Sequence, residues 1–309
     1  MVADLVPRVP LVDAVYWLFM GRHPDWLKVR IPSGKEYFEV RDILRGHRLN
    51  TVCEDARCPN IAECWGQRRT ATFMILGDIC TRACAYCAVR SGQPVELDES
   101  EPARVAAAVK DLRLKHAVIT SVDRDDLDDG GARMFAETVR AIRRLDPMVK
   151  IELLTPDFAG SLEALEIVMN SGPDIFSHNV ETVERLYPKV RFKSDYRRSL
   201  GLLADARGLG STSFVKTGIM VGLGERKDEV VDLMTDAVRV GVDILTIGQY
   251  LRPTSKHAEI QNYYTPAEFD EFRTIGQDLG IRWVFSGPLV RSSYHAEDVF
   301  DDMIASTAS

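Results

Sequence analysis

The chain has 309 residues, of which 45% are hydrophobic and 28% are charged, and its formal net charge is −7 at pH 7. This composition is typical of a globular protein, and the length allows one large domain. The negative charge argues against nucleic acid as the main partner, because phosphate binding requires a basic surface. A local basic patch is still compatible with it.

All six cysteines lie between positions 53 and 87. Six are too few for a disulfide-stapled secreted protein of this length. Their clustering indicates metal ligation in a reducing compartment, so we expect a cytoplasmic protein.

The N-terminal segment contains one apolar run, at residues 11–20. The run is about half as long as the ~20 residues of a membrane-spanning helix. Asp13 interrupts it, and no small-residue cleavage site follows it. We expect a short helix that packs on the body of the protein, with no membrane association.

A first group of three cysteines follows, with the spacing Cys53-x4-Cys58-x5-Cys64. Iron–sulfur clusters normally take four thiolates, so this group is one ligand short. Three buried free cysteines are the alternative, since cysteine is among the most buried residue types. A second incomplete triplet nearby, with no cysteine elsewhere, argues against that alternative.

The second triplet, Cys80-x3-Cys84-x2-Cys87, comes directly after a β-rich apolar run at residues 71–77. Three thiolates in a tight loop suit a 4Fe–4S cluster and leave one iron open for a substrate or cofactor. A zinc site or a disulfide pair is the alternative, but zinc usually takes four ligands in Cys-x2-Cys pairs. The loop resembles that of the radical S-adenosylmethionine superfamily, in which an aromatic residue, here Tyr86, usually precedes the last cysteine.

Helical and strand patterns alternate through the rest of the chain. Helices are predicted at residues 37–45, 105–112, 132–144, 162–170, 196–206, 227–240 and 266–279, and strands at residues 116–121, 150–155, 174–179, 213–220 and 243–248. Such alternation implies right-handed β-α-β units and a parallel sheet. With residues 71–77, the six strands predict an α/β fold, a partial (β/α)6 TIM-like barrel that residues 282–286 would extend. We divide the chain into an N-terminal extension (1–70), the barrel (71–287) and a tail (288–309).

Residues near the strand ends are candidate site residues, because chemistry in parallel barrels sits at the carboxyl ends of the strands. Thr120, Ser121 and Glu152 are candidates for contact with a cofactor. The acidic loop at residues 121–131 lacks the spacing of a calcium loop. It is either a ligand-binding loop or a solvated turn that caps the next helix.

Further candidates follow the fourth and fifth strands. Asn179 and Glu181 suit ribose hydroxyls or a methionine amino group, whereas His178 is more typical of a hydrogen-bonded structural residue. Arg191 could pair with a methionine carboxylate, or be an ordinary surface arginine. Gly222 stands where the superfamily's fifth strand approaches adenine, or is a turn glycine.

Taken together, the two triplets and Arg291-Ser292-Ser293-Tyr294 resemble the lipoyl synthase family. The match also includes Cys58-Pro-Asn, Glu63-Cys-Trp65, Gly77-Asp-Ile-Cys-Thr81, Arg124-Asp-Asp-Leu, Asp129-Gly-Gly131, Thr155-Pro-Asp-Phe158, His178-Asn-Val-Glu-Thr182 and Gln249-Tyr-Leu-Arg-Pro253. It covers residues from about 25 to 296 and departs from the family at no cluster-ligand position.

The resemblance implies a role for each group. Cys80, Cys84 and Cys87 would hold the 4Fe–4S cluster that binds and cleaves S-adenosylmethionine. The resulting radical would remove hydrogen from a protein-bound octanoyl chain. Cys53, Cys58 and Cys64 would hold an auxiliary 4Fe–4S cluster, with Ser293 as its fourth ligand, that supplies sulfur to carbons 6 and 8. Ser292 would be a turn or capping group, and both extensions would cover the barrel mouth.

The resemblance also implies partners. These are an octanoylated lipoyl domain or H protein, an electron donor such as ferredoxin or flavodoxin, and an iron–sulfur cluster carrier. Lipoyl domains tend to be acidic, so we expect a basic rim for docking, formed by Arg68, Arg69, Arg82, Arg90 and the run at 189–193.

Three other classes of protein share parts of the pattern. A methylthiotransferase-like radical enzyme would bring a further binding domain, for which the chain has no room. A ferredoxin-like electron carrier would carry two full sets of four cysteines. A zinc-stapled scaffold would be colourless, whereas iron–sulfur clusters are brown.

Overall fold

The structure, a computed structural model, describes residues 23–29, 31–209 and 213–293. The helix predicted at residues 11–20 and the end of the tail from Tyr294 onward lie outside these ranges. In the described part of the chain, no helix is long and apolar enough to cross a membrane.

One large sheet forms the centre of the fold. In chain order the strands are β1 (Asn50–Thr51), β2 (Thr72–Ile75), β3 (Ile79–Cys80), β4 (Arg90–Ser91), β5 (His116–Ser121), β6 (Lys150–Leu154), β7 (Ile175–Ser177), β8 (Phe214–Val221), β9 (Ile244–Gln249) and β10 (Trp283–Gly287). The large sheet has the order β1-β2-β5-β6-β7-β8-β9-β10, and β3 pairs separately with β4. From β2 to β10 every pairing is parallel, whereas β1 is antiparallel to β2.

This topology confirms the predicted α/β fold of a partial barrel. The last predicted segment is a full seventh parallel strand, while the short strands β1, β3 and β4 were not predicted. Among the described residues, β1 and β10 are the two edges of the sheet, so the barrel is open on that side.

Helices cover the outside of the sheet. They are α1 (Lys35–Gly46), α2 (Val52–Asp55), α3 (Ile61–Glu63), α4 (Glu101–Leu112), α5 (Ala132–Leu145), α6 (Leu162–Met169), α7 (Tyr187–Val190), α8 (Tyr196–Gly208), α9 (Lys227–Arg239) and α10 (Pro266–Asp278), with a π-helical turn at Cys64–Arg68. The start of α10 shows the local cause: Thr265 and Glu268 form a capping box, and Pro266 needs no backbone hydrogen bond in the first turn. The larger predicted helices are confirmed to within a few residues.

The two faces of the central strands differ in chemistry. Alternate residues of a strand point to opposite sides, so Ile151 and Leu153 pack outward against helices while Glu152 points into the barrel. There Lys216 of β8 hydrogen-bonds Oε2 of Glu152 at 3.0 Å. Its Nζ also lies 2.9 Å from Oε1 of Glu152, and both side chains are almost completely buried.

Removing one partner of this ion pair should destabilise the fold. Lys216→Met leaves a buried carboxylate uncompensated, so we expect a loss of about 3–5 kcal/mol in the free energy of unfolding. The double variant Lys216→Met/Glu152→Leu should recover most of that loss. Urea unfolding of the cluster-free protein, followed by circular dichroism, measures both.

The control is Arg140→Ala, which breaks an exposed pair with Glu137 and should lose less than about 1 kcal/mol. Equal, small losses for Lys216→Met and Arg140→Ala would contradict the account of the buried pair.

Candidate active site

The second cysteine triplet lies on a loop at the carboxyl end of β2, and hydrogen bonds to its backbone from several elements hold this loop. The amide of Thr81 donates to the carbonyl of Asp123 (3.0 Å), and the amide of Ala85 donates to Val190 (2.9 Å). His257 Nε2 lies 2.9 Å from the carbonyl oxygen of Cys87. Three other segments of the protein therefore hold this loop in place without a cofactor.

A buried arginine is the main side-chain anchor of this loop. Arg82 lies between the first two cysteines, and its guanidinium contacts Asp125 at 2.6 Å, Asp157 at 2.7 Å and Asp123 at 3.3 Å. Burial acts to raise the pKa of Asp157, but the bonds from Arg82 and Arg198 hold it below its ordinary value. The acidic loop after β5 is thus a brace for the cysteine loop, which the sequence analysis did not predict.

The same contacts correct the predicted basic rim. The Arg82 side chain is only 3% exposed and is surrounded by carboxylates, so it cannot meet a partner protein. Arg68 and Arg69 pair with Glu63 and Glu39, and Arg90 pairs with Asp78. Among the described residues, Lys189 and Lys193 are the members of the rim that are exposed and not ion-paired.

The thiols of this loop are partly buried and electrostatically coupled. Burial is the main cause that raises the pKa of Cys80 to about 11 and that of Cys87 to about 12, with smaller contributions from Asp123 at Cys80 and from the neighbouring thiols at both. Burial also raises the pKa of Cys84. The thiolate is the form that binds metal, so loading the loop with iron must release protons.

Four predicted cofactor residues meet beside Cys84. Tyr86 hydrogen-bonds Glu181, and Asn179 Nδ2 donates to Glu181 Oε1 at 3.2 Å. Arg191 is buried and donates to the backbone carbonyl of Asn179 at 2.9 Å. These side chains form a polar cluster at the carboxyl ends of β7 and β8.

Glu181 has an unusual backbone conformation. Its φ is +71°, in the left-handed region that residues other than glycine seldom adopt. Two backbone bonds to β8 hold it there, from its own amide to Gly218 (2.9 Å) and from the amide of Met220 to its carbonyl (2.8 Å). Strain of this kind is concentrated at functional sites.

The other predicted cofactor residues lie outside that cluster. Thr120 Oγ1 donates to the carbonyl of Leu154, and Glu152 pairs with Lys216 inside the barrel. Ser121 Oγ is buried with no hydrogen-bond partner among the described residues. Gly222 has a φ of +104°, and an added Cβ would overlap the side chain of Gln249. Contact of these four residues with a cofactor stays a prediction.

His178 is a structural residue, as the sequence suggested. Its Nδ1 lies 2.9 Å from the carbonyl oxygen of Thr155 and its Nε2 lies 3.1 Å from Ser199 Oγ. Burial, reinforced by the charge of Arg191, lowers its pKa to about 3. A histidine that stays neutral at physiological pH with both nitrogens engaged is not available as a general base.

The first cysteine triplet lines a separate cavity. Its walls are formed by Val52, Cys53, Cys58, Asn60, Ile61, Cys64, Arg68, Thr70, Ala71, Thr72, His116, Val118, Arg291 and Ser293. Thr72 and His116 are the first residues of β2 and β5, so the cavity lies near the amino ends of these strands. Burial raises the pKa of both Cys53 and Cys64 to about 12.

The tail reaches this cavity by passing into the barrel. The backbone amide of Gln249, the last residue of β9, donates to the Pro288 carbonyl at 3.3 Å. Further along, an added Cβ at Gly248 would overlap the carbonyl oxygen of Val290. Asn60 Nδ2 donates to the Leu289 carbonyl at 2.8 Å, which joins the tail to the N-terminal extension. The tail therefore does more than cover the mouth: it fills part of the interior.

The donor sets of both triplets fit iron–sulfur clusters. The three thiols of the first triplet line one cavity together with a serine hydroxyl, and the three thiols of the second triplet lie partly buried on one short loop. Among the described residues, no three His, Cys, Asp or Glu side chains are placed to hold one single metal ion. In a cluster each thiolate binds a different iron, so its ligands need not converge on one point.

Comparison with known proteins identifies the family. The model of the radical SAM superfamily matches residues 74–237, and that of the N-terminal domain of lipoyl synthase matches residues 20–58. Lipoyl synthase of Rubrobacter xylanophilus is 56% identical over 284 residues, which cover 91% of this chain and 88% of the relative. Lipoyl synthase of Bacillus subtilis is 52% identical over 277 residues, covering 90% and 93% respectively.

Solved structures agree on the fold. Streptococcus suis SuiB bound to its precursor peptide SuiA matches 90% of this chain with a TM-score of 0.54 at 13% identity, and the match spans 60% of SuiB. Methylornithine synthase matches 83% of each chain with a TM-score of 0.52 at 13% identity. On the high identity of its curated relatives, this chain belongs to the lipoyl synthase family of radical S-adenosylmethionine enzymes.

Proposed function

We propose that this chain inserts two sulfur atoms, at carbons 6 and 8, into an octanoyl chain carried on a lysine of another protein. One observation carries the proposal: two separate cysteine triplets lie near opposite ends of the barrel strands. The barrel interior between them offers a place where a buried acyl chain could meet both. We also propose extensions at 1–70 and 288–309 around a barrel at 71–287.

The triplet of Cys80, Cys84 and Cys87 holds the 4Fe–4S cluster that uses S-adenosylmethionine. The three cysteines would hold this cluster, whose chemistry there would be the one-electron reduction of S-adenosylmethionine that starts hydrogen removal from the acyl chain. The protein orients the cofactor and excludes water. Arg82 supports this role because it fixes the cysteine loop against two strand ends.

The polar cluster beside Cys84 orients S-adenosylmethionine. Asn179 and Glu181 suit its amino group and ribose hydroxyls, because they present an amide and a carboxylate side by side. Tyr86 belongs to the cysteine loop, and its side chain lies beside Glu181. Arg191 supplies a buried positive charge for the methionine carboxylate.

The triplet of Cys53, Cys58 and Cys64, with Ser293, holds the auxiliary cluster, which is the sulfur-donating substrate. An alkoxide oxygen is a harder ligand than thiolate and less suited to iron. A serine therefore suits an iron that must leave as the cluster is consumed. The shared cavity supports Ser293 as this ligand.

The substrate is an octanoylated protein, and we propose a lipoyl domain or H protein. A ferredoxin or flavodoxin would supply electrons, and a carrier protein would deliver iron–sulfur clusters. Lys189 and Lys193 flank the exposed Phe192 on the segment whose Val190 bonds the cysteine loop. This exposed basic pair is the part of the predicted rim that can steer an acidic domain.

Mass spectrometry of an octanoylated lipoyl domain tests the function. Reconstituted protein with reductant and S-adenosylmethionine should add two sulfur atoms and carry about eight irons. Changing Cys80, Cys84 and Cys87 to Ala should leave about four irons and abolish 5′-deoxyadenosine formation. Changing Cys53, Cys58 and Cys64 to Ala should keep that cleavage and abolish sulfur insertion. Equal loss of both activities from both variants would refute this division of roles.

Ser293 should affect sulfur transfer selectively. Ser293→Ala should still form 5′-deoxyadenosine, because the second triplet is intact, yet it should lose most sulfur insertion. Ser293→Cys should give a stable auxiliary cluster but slow turnover, since thiolate binds the departing iron more firmly. Iron analysis and product mass spectrometry measure both effects. Unchanged sulfur insertion by Ser293→Ala would show that the fourth ligand comes from elsewhere.

Docking should depend on salt through the lysine pair. Raising ionic strength from about 50 to about 500 mM shortens the Debye length about threefold. Sulfur insertion should slow more on an intact lipoyl domain than on a short octanoyl-lysine peptide, because exposed charges act mainly on association rate. Lys189→Ala/Lys193→Ala should reduce this difference, and Lys110→Ala/Lys115→Ala, far from the loop, should not. The same salt dependence for both substrates would contradict steering.

A further inference from the structure

The two neighbouring serines of the tail reach two different sites. Ser293 lines the cavity of the first cysteine triplet. The hydroxyl of Ser292 instead donates to Oδ1 of Asn179 at 2.9 Å. The expectation that Ser292 is only a turn or capping group is therefore wrong, because its hydroxyl bonds a side chain 113 residues away.

This bond continues into the polar cluster. Asn179 Oδ1 accepts from Ser292, and its Nδ2 donates to Glu181 Oε1 at 3.2 Å. An amide has one accepting and one donating end, and an ionised carboxylate can only accept. The carboxylate of Glu181 therefore sets which end of the Asn179 amide faces it, and the Ser292 hydroxyl, which can donate or accept, donates to the opposite end and holds the amide from a second side.

The barrel wall is shaped around this contact. Gly218 of β8 faces the interior, and an added Cβ would lie 2.8 Å from both Asn179 Oδ1 and Ser292 Oγ and 2.6 Å from Thr246 Oγ1. Distances below 3.0 Å would force one of these groups to move. The φ of Gly218 is not positive, so close approach rather than backbone conformation requires glycine here.

We propose that Ser292 is a positioning residue for the S-adenosylmethionine site, acting through Asn179 and linking that site to the auxiliary one. The inference rests on the proposed role of Asn179 in binding the cofactor. Since Ser292 and Ser293 are adjacent, a tail withdrawn from the auxiliary cavity would also release Asn179. S-adenosylmethionine would then bind well only when the tail is seated.

The first test measures the rate of 5′-deoxyadenosine formation in the absence of octanoyl substrate. Its KM for S-adenosylmethionine reports on binding, and its kcat reports on turnover. Ser292→Ala removes one hydrogen bond and leaves a partly buried acceptor unpaired, so KM for S-adenosylmethionine should rise about five- to tenfold. The value of kcat should stay within about twofold. Ser292→Thr keeps the hydroxyl and should restore KM. Ser286→Ala, which removes a buried hydroxyl with no hydrogen bond among the described residues, should leave KM unchanged.

A double-mutant comparison assigns the effect to Asn179. In an Asn179→Ala background, Ser292→Ala should raise KM no further, because the two residues act as one unit. If Asn179→Ala leaves KM unchanged, the proposed function of Asn179 fails. If Asn179→Ala raises KM and Ser292→Ala does not, the proposed function survives and the positioning role of Ser292 is overturned.

Cluster-free protein gives a readout independent of activity. Hydrogen exchange in a peptide covering residues 178–182 should be faster in Ser292→Ala than in wild type or Ser292→Thr. Gly218→Ala, which wedges the same contact apart, should show the same acceleration. Wild-type exchange in both variants would overturn the inference. Loss of about four irons from reconstituted Ser292→Ala would also overturn it, because the hydroxyl would then belong to the auxiliary site.

Discussion

The bonds of Arg82 are the constraint on which the loop of the second cysteine triplet, the proposed radical site, depends. This one cation, inside the cysteine loop, contacts Asp123 and Asp125 after β5 and Asp157 after β6. Buried charges are tolerated only when they are paired, and removing one partner leaves the others uncompensated. The arginine therefore joins the loop to two strand ends in one arrangement. Positioning of this kind is what a cofactor site requires before the cofactor arrives, because a loosely held site loses its geometry. Arg82 therefore sets the position of Cys80, Cys84 and Cys87 relative to the barrel strands.

The interior of the barrel is lined by a buried charged pair in one part and by glycines in another. The buried pair of Glu152 and Lys216 closes part of the lumen. Gly218 and Gly248 leave the wall of β8 and β9 without side chains, and the tail occupies that space. A methyl group at either glycine would meet the tail or its partners. The same stretch of wall that excludes bulky side chains thus allows a C-terminal segment to run inward toward the cavity of the first triplet.

Local pattern predicted most of the fold, and long-range contacts account for what it missed. The strand at His116–Ser121 was predicted to the residue, because its apolar run is bounded on both sides by polar turns. The cysteine triplets were found because their spacing is local. The role of Arg82 was mistaken for surface charge, since its partners lie 41 to 75 residues away in sequence. The route of the tail depends on close contacts with glycines of β8 and β9. The hydrophobic periodicity of a sequence carries no information about contacts between such distant residues. The role of Ser292 was missed for the same reason.

The auxiliary site is built from the two ends of the chain, and this affects how it forms. Asn60 and Leu289 are hydrogen-bonded across 229 residues, and Ser293 shares a cavity with Cys53 only when the tail lies in the barrel. We expect contacts of such separation to form after the barrel that aligns their elements, because closing a long loop costs entropy before the contact compensates it. The radical loop, in contrast, is tied to neighbouring strand ends and can form with the barrel. A site that forms last and is held by one end of the chain is also the one that can open without unfolding the rest. That property fits the proposed role of this cavity, whose cluster would be consumed and replaced, whereas the more firmly braced loop fits the proposed site of a cluster that would persist through the reaction.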